Sequence, residues 1–182
     1  VPVDVMHWQA DAVFGSCVKW LCGGPGAGFM YIKEILLNSL EPDPIGWFSH
    51  QNPFEFDITH YVAAQDAKRF WGGTPSIAPY VMATESIKAL LALQLPKVAK
   101  HNALMKEIMA ETLPEHKTYA EIKRKHSHFG GSLCIAANEY AKTQKKLAQY
   151  NVKYDCRGNV FRLSLHVINT EQEARIIGEC FT

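Results

Sequence analysis

The sequence predicts an α/β fold, and three observations carry that prediction. From Ser132 to the C-terminus the pattern alternates strand, helix, strand, helix. Ahead of that lies a pair of stretches with apolar residues at helical spacing, separated by Pro96. Near the N-terminus two short apolar runs flank a glycine-rich turn, the signature of two strands joined by a sharp reversal.

The elements follow in order. Val1-Pro2-Val3-Asp4-Val5 and Trp8 form a short approach in which Pro2 disfavours helix. Ala12-Val13-Phe14-Gly15 reads as a strand that Lys19 closes, just before Gly23-Gly24-Pro25-Gly26-Ala27-Gly28. Glycines belong where the backbone takes φ > 0 or approaches another group closely. Phe29-Met30-Tyr31-Ile32 then resumes as a strand, and Lys33 to Glu41 fits a short helix or a loop ended by Glu41-Pro42-Asp43-Pro44. A lysine that loses hydration at a buried strand end favours its neutral, nucleophilic amine. From pattern alone the stronger reading is a solvated edge charge.

Thr74 is expected to cap a helix with Pro75 in its first turn. That helix runs from Ile77 to Leu95 with Ile77, Val81, Ile87, Leu90, Leu91 and Leu95 inward, and a second runs from Pro96 to Leu113. The polar stretch from Pro114 contains Lys123-Arg124-Lys125-His126, which reads as a solvated turn. His126-Ser127-His128 lacks the further ligands a metal site needs, so no metal is assigned. Gly130-Gly131 introduces a strand over Ser132–Ala137, in which Cys134 reads as inert core. An amphipathic helix follows with Ala141, Leu147 and Ala148 inward, then a strand over Val160–His166. A final helix opens at Thr170, with Glu173 at capping-box spacing.

Composition excludes several classes of function. The 182 residues are 47% hydrophobic and 20% charged, enough apolar content for a real core, and the formal net charge of +1 offers no electrostatic case for nucleic acid or an anionic membrane. No apolar run approaches the roughly 20 residues a membrane-spanning helix needs. Five cysteines, an odd number without paired zinc spacing, read as reduced thiols in a cytoplasmic protein.

The stretch Asp11-Ala12-Val13, Cys17-Val18-Lys19-Trp20-Leu21 and Gly24-Pro25-Gly26 resembles the cofactor-lysine segment of kynureninase. Its relatives are the class V aminotransferase-like, pyridoxal-phosphate enzymes of fold type I. Three later segments resemble the family in the same order. They are Gly46-Trp47-Phe48-Ser49-His50 followed by Phe54-Glu55-Phe56-Asp57, then Arg69-Phe70-Trp71-Gly72-Gly73-Thr74-Pro75, then Asp155-Cys156-Arg157-Gly158 with Phe161-Arg162-Leu163. Ser49 departs from the usual glycine, and Ile168, before Asn169, replaces the usual tyrosine.

The resemblance implies the C-terminal part of a fold type I pyridoxal-phosphate-dependent transferase. Residues 1–95 would belong to the large cofactor-binding domain, and residues 96–182 to a linking helix and a small C-terminal α/β domain. Because Val1 opens in the approach that follows a longer segment in family members, the chain is expected to begin partway through the large domain. Pyridoxal 5'-phosphate is the implied cofactor, held by Lys19 as a Schiff base. Trp47 lies near the phosphate across a dimer interface, and Gly73 and Thr74 also contact the phosphate. His50 and Arg162 are implied as substrate-binding, with Arg162 gripping the α-carboxylate, because a planar guanidinium makes two parallel hydrogen bonds to a carboxylate.

Taken residue by residue, each position has a plainer reading: a core or interface aromatic for Trp47, a helix cap for Thr74, a strand-edge salt bridge for Arg162. The implied activity is hydrolytic C–C cleavage of an amino acid such as kynurenine, giving anthranilate and alanine, in a homodimer that shares its active sites. Other branches of the family offer cysteine desulfurase or selenocysteine lyase, epimerase or aminotransferase chemistry. A non-catalytic fragment is the alternative of a different kind. The isolated 182 residues are expected to bind the cofactor weakly and to turn over nothing.

Overall fold

A computed structural model describes residues 3–113 and 130–182 of the chain. The Pro114–His128 stretch, with its basic cluster Lys123–His126 and the His126 and His128 pair, falls outside the described residues. What is described divides into two compact units, 3–92 and 93–182. No helix among the described residues is long and apolar enough to cross a membrane.

The first unit opens on an antiparallel hairpin. Strand β1 (Ala12–Ser16) pairs with β2 (Gly28–Ile32), Ala12 facing Ile32 and Ser16 facing Gly28. The lysine is exposed, as its plainer reading has it, and is not a buried strand terminus. β1 ends at Ser16, because the Cys17 carbonyl accepts the Gly23 N–H at 2.7 Å and turns the chain out of the ladder before Lys19 is reached. Nor is the hairpin buried, for Phe14 is 83% exposed. After a single turn of helix, α1 (Glu34–Leu37), the chain runs through two 3₁₀ turns, Trp47–Ser49 and Ala67–Phe70.

Helix α2 (Ile77–Ala92) completes the unit; it begins at Ile77, as the apolar spacing predicts, but not on a Thr74 cap with Pro75 in its first turn. Pro79 is the reason. A helix started at Pro75 would need a Pro79 N–H for the Pro75 carbonyl, and proline has none; started at Ile77, Pro79 falls in the first turn, where no donor is required. Thr74 is therefore no helix cap. The buried face of α2 also differs from the apolar stripe, since Ala83 and Leu90 are buried while Ile77, Val81 and Leu91 are more than half exposed.

The second unit starts with helix α3 (Leu95–Glu111), entered through Gln94 at φ 63°. Its sheet comprises β3 (Ser132–Ala136), β4 (Asp155–Arg157) and β5 (Val160–Ser164), all antiparallel, with β5 in the middle. Helix α4 (Tyr140–Gln149) precedes β4, and α5 (Glu171–Glu179) ends the fold. One face of the sheet is the core: Leu133, Ile135, Phe161 and Leu163 are buried with Met105, Ile108 and Met109 of α3, Leu147 of α4, and Ala174 and Ile177 of α5. Phe161, fully buried, meets Phe181 edge to face at 5.5 Å.

Two details of this unit correct the sequence reading. In α4 the inward residues are Thr143 and Leu147, one turn apart, and Ala141 and Ala148 are exposed. In β3 the pattern alternates, so Leu133 and Ile135 face inward and Cys134 faces out. The α5 cap forms as its spacing predicts: Glu173 N–H donates to Thr170 Oγ1 (3.2 Å), and Thr170 N–H donates to Glu173 Oε2 (2.8 Å).

Candidate functional site

Lys19 stands on the turn that leaves β1, exposed, and among the described residues its side chain makes no ion pair. The turn beneath it is tightly fastened. Cys22 N–H donates to the Lys19 carbonyl (2.9 Å), Cys17 N–H to the Ala27 carbonyl (3.0 Å), and Ser86 Oγ of α2 to the Leu21 carbonyl (2.7 Å). Cys17 and Ala27 bury against Ala83 of α2, with Leu21, Tyr80 and Ile87 packed around them.

The glycines explain how a loop can lie so close to a helix. A Cβ at Gly23 would sit 2.9 Å from Cα and Cβ of Ala83 and from Cys17 Cβ. Gly24 and Gly26 take φ +72° and +101°, where side chains are strained. The lysine thus projects from a rigid platform without being buried in it. A free, accessible primary amine on a fixed backbone is the chemistry that an aldehyde cofactor requires.

A second group of residues is brought together by backbone contact. Gly46 packs so closely on Gly72 that a Cβ on Gly46 would collide with the Gly72 carbonyl. Phe48 N–H donates to that same carbonyl at 3.3 Å. The 3₁₀ turn carrying Trp47 and leading to His50 is thereby joined to the segment carrying Gly73 and Thr74. Trp47 is not a core aromatic: it is 45% exposed, with Phe48 and Phe54 edge-on at 4.7 and 5.9 Å. Gly73 and Thr74 are exposed, and nothing lies within 4 Å of a Cβ built on Gly73. Open space beside a free backbone and a threonine hydroxyl fits a phosphate group, as the exposed Lys19 amine fits an aldehyde. The residues present are compatible with pyridoxal phosphate at both ends.

His50 is half-buried between these loops. Its Nδ1 lies 2.8 Å from the Asn52 carbonyl and 3.0 Å from the Asn52 nitrogen, its ring meets Tyr61 at 5.6 Å, and its Nε2 is buried without a partner among the described residues. Arg69 Nε is buried and unpartnered in the same sense. Sequence reasoning missed the residue that holds this region together. Ser49, fully buried, accepts from Gly46 N–H (3.0 Å), donates to the Gly46 carbonyl (2.6 Å) and receives the Tyr61 hydroxyl (3.1 Å). Its only signal was the departure from the glycine that family members place there.

Between β1–β2 and the second 3₁₀ turn lies a cleft of about 830 Å³, lined by Phe14, Phe29, Met30, Phe70, Trp71 and Tyr80 among others. None of the six residues singled out from the sequence lines it. Arg162 belongs to the other unit. It stands on the open face of β5, and its Nη2 lies 2.9 Å from Asp155 Oδ2, its register partner on β4. The ion pair that the plain reading predicts is real, but β5 is the central strand, so it is not an edge contact. On the other side of Arg162, its register partner on β3 is the exposed Cys134.

Comparison with known proteins supplies the context. The family model described as aminotransferase class-V matches residues 1–176. An uncharacterized aminotransferase, YcbU of Bacillus subtilis (strain 168), is 26% identical over 178 residues, which is 96% of this chain and 46% of that protein. A kynureninase of Bacillus cereus (strain ATCC 10987 / NRS 248) is 29% identical over 182 residues, 95% of this chain and 42% of its own length. Among solved structures, the apo cysteine desulfurase of Thermococcus onnurineus NA1 matches with a TM-score of 0.77 at 19% identity, covering 96% of this chain and 46% of that one. The chain therefore spans a little under half the length of these relatives.

Proposed function

The chain belongs to the aminotransferase class-V family, and from that premise we propose that it carries the lysine of a pyridoxal 5'-phosphate site working as a kynureninase-like hydrolase. The reaction is C–C cleavage of an amino acid such as kynurenine to anthranilate and alanine. Members of this family depend on pyridoxal phosphate, which supplies an electron sink for the carbanion when bound. The observation that carries the reading is the accessible Lys19 on a turn clamped to α2 by Gly23, Gly24 and Gly26.

Each residue has a role in this reading. Lys19 Nζ would hold the cofactor at its aldehyde and would move protons as acid and base. Thr74 Oγ1 and the Gly73 backbone hold the phosphate, and Trp47 covers it, both from the neighbouring subunit of a homodimer. His50 orients the substrate and Arg162 takes its α-carboxylate. Residues 1–95 serve the large domain, and 96–182 the linking helix and small domain. The five free thiols suit a reducing, cytoplasmic setting. We assign turnover to a protein in which these residues sit with the remainder of the family fold. The 182 residues alone bind the cofactor weakly.

Borohydride reduction of the cofactor-loaded protein followed by peptide mapping tests the lysine. A pyridoxyl group on Lys19 supports the reading, and one on any other lysine overturns it. Product analysis then tests the branch. Anthranilate and alanine from kynurenine without a keto acid mean hydrolysis, whereas a keto-acid requirement means transamination. A second reading, desulfuration of cysteine, is favoured by the exposure of Cys134 on the sheet face that carries Arg162; loss of alanine formation from cysteine in Cys134→Ser would establish it.

A further inference from the structure

The open face of the β3–β5–β4 sheet carries a row of three side chains in register, Cys134, Arg162 and Asp155. We propose that Asp155 is a positioning residue for Arg162, holding the guanidinium in the orientation in which it receives a substrate carboxylate. The inference rests on the assignment of Arg162 to the α-carboxylate.

The geometry is specific. One carboxylate oxygen of Asp155, Oδ2, meets one nitrogen of Arg162, Nη2, at 2.9 Å. The contact is a close ion pair at one nitrogen of a group with five N–H donors. A second carboxylate can therefore take two parallel hydrogen bonds from donors that Asp155 leaves open. Both partners sit on paired strands at matched register, so the backbone ladder fixes the separation of their Cα atoms.

Without Asp155, Arg162 would be a long exposed side chain on an open sheet face, with several rotamers to lose on each binding event. With it, that loss is incurred once, on folding. The side chains are 48% and 44% exposed, so as a source of fold stability the pair is worth little. Its value is in orientation. Asp155 also sets a selectivity: its negative charge beside the guanidinium disfavours a ligand that brings a second anionic group to the same face.

The test uses the full-length, cofactor-loaded protein and two probes, l-kynurenine and kynuramine, which lacks the carboxylate. Binding is measured by calorimetry, and KM and kcat for kynurenine separately. Asp155→Asn is expected to weaken kynurenine binding about tenfold, to raise KM with kcat nearly unchanged, and to leave kynuramine binding unmoved. Arg162→Gln weakens kynurenine more strongly and also leaves kynuramine unmoved. Asp155→Glu, which keeps the charge, restores part of the loss. If Arg162→Gln leaves kynurenine binding intact, the assignment of Arg162 is what fails. If Arg162→Gln weakens it and Asp155→Asn does not, or if Asp155→Asn weakens both probes alike, the positioning role is overturned.

Discussion

Gly23→Ala is the substitution from which the structure predicts most. The new Cβ would lie 2.9 Å from Ala83 Cα, Ala83 Cβ and Cys17 Cβ. Carbon atoms rest about 3.5–4.0 Å apart, so roughly 0.6–1.1 Å of separation must be found. None of the three atoms can rotate away, since one is helix backbone and two are β-carbons. The loop itself must lift from α2, against the Gly23 N–H to Cys17 carbonyl bond and the Ser86 Oγ to Leu21 carbonyl bond, both 2.7 Å.

Overpacking of this kind costs about 1–3 kcal/mol, and a weakened hydrogen bond adds about 1 kcal/mol. Urea denaturation is the assay. With a slope of about 1–3 kcal/mol/M, the midpoint should fall by roughly 1 M. Borohydride labelling of Lys19 should slow in parallel, because the lysine rides on the displaced turn. Ala83→Gly removes one of the three collisions, so the double variant should recover about 1 kcal/mol relative to the sum of the single changes. A Gly23→Ala protein with wild-type midpoint and labelling would refute the claim that this glycine sets the height of the loop.

Other consequences are simpler to state. Ser49→Ala removes the acceptor of the Gly46 N–H and one of the two acceptors of the Tyr61 hydroxyl, which keeps the Ser49 carbonyl at 3.2 Å, and should cost about 1 kcal/mol in thermal or urea unfolding; an unchanged protein would show that water replaces the hydroxyl without penalty. Thr170→Ala removes the α5 cap, at about 1 kcal/mol by the same measurement. Thr170 N–H holds the Glu173 carboxyl below the usual range, with help from the Asn169 side chain. The stabilisation from Glu173 is therefore present above the ordinary glutamate range and lost as pH falls through the lowered folded value, and Glu173→Gln should erase that acid-side dependence. Lys106 is the opposite case. Burial lowers its pKa although Glu107 opposes the shift, and its Nζ donates to the Gly130 carbonyl at 2.8 Å. Between the lowered folded value and the ordinary lysine value the unfolded chain binds more protons, so stability should rise with pH across that window, and Lys106→Met should flatten the rise.

Much of the fold was legible because it is written in local chemistry. The glycine turn between two apolar runs specified the hairpin, and Thr170 with Glu173 specified where the last helix begins. The errors came where a further residue should have been weighed. Pro79 forbids a helix that starts at Pro75, and its position in the sequence was as visible as that of Pro75. Leu133 and Ile135 face the core, so strand alternation puts Cys134 on the open face. The exposure of Lys19 agrees with its plainer reading as a solvated charge, but the Cys17–Gly23 bond that ends β1 early is a tertiary matter that no local pattern announces. At the candidate site, the lysine, the aromatic and the threonine were singled out through family likeness. Ser49, Tyr61 and the Gly46–Gly72 approach were not, because a contact between loops 12 or more residues apart leaves no periodic trace.

That last approach has a bearing on redesign. Two backbones that meet at Gly46 and Gly72 without room for a methyl group between them form a single mechanical part, although the sequence presents them as two. Anyone grafting the Trp47–His50 segment alone between relatives would fit half a part against its old counterpart. The graft would have to carry Gly72, Gly73 and Thr74 with it, and the cargo that travels with His50 would include Ser49 and Tyr61.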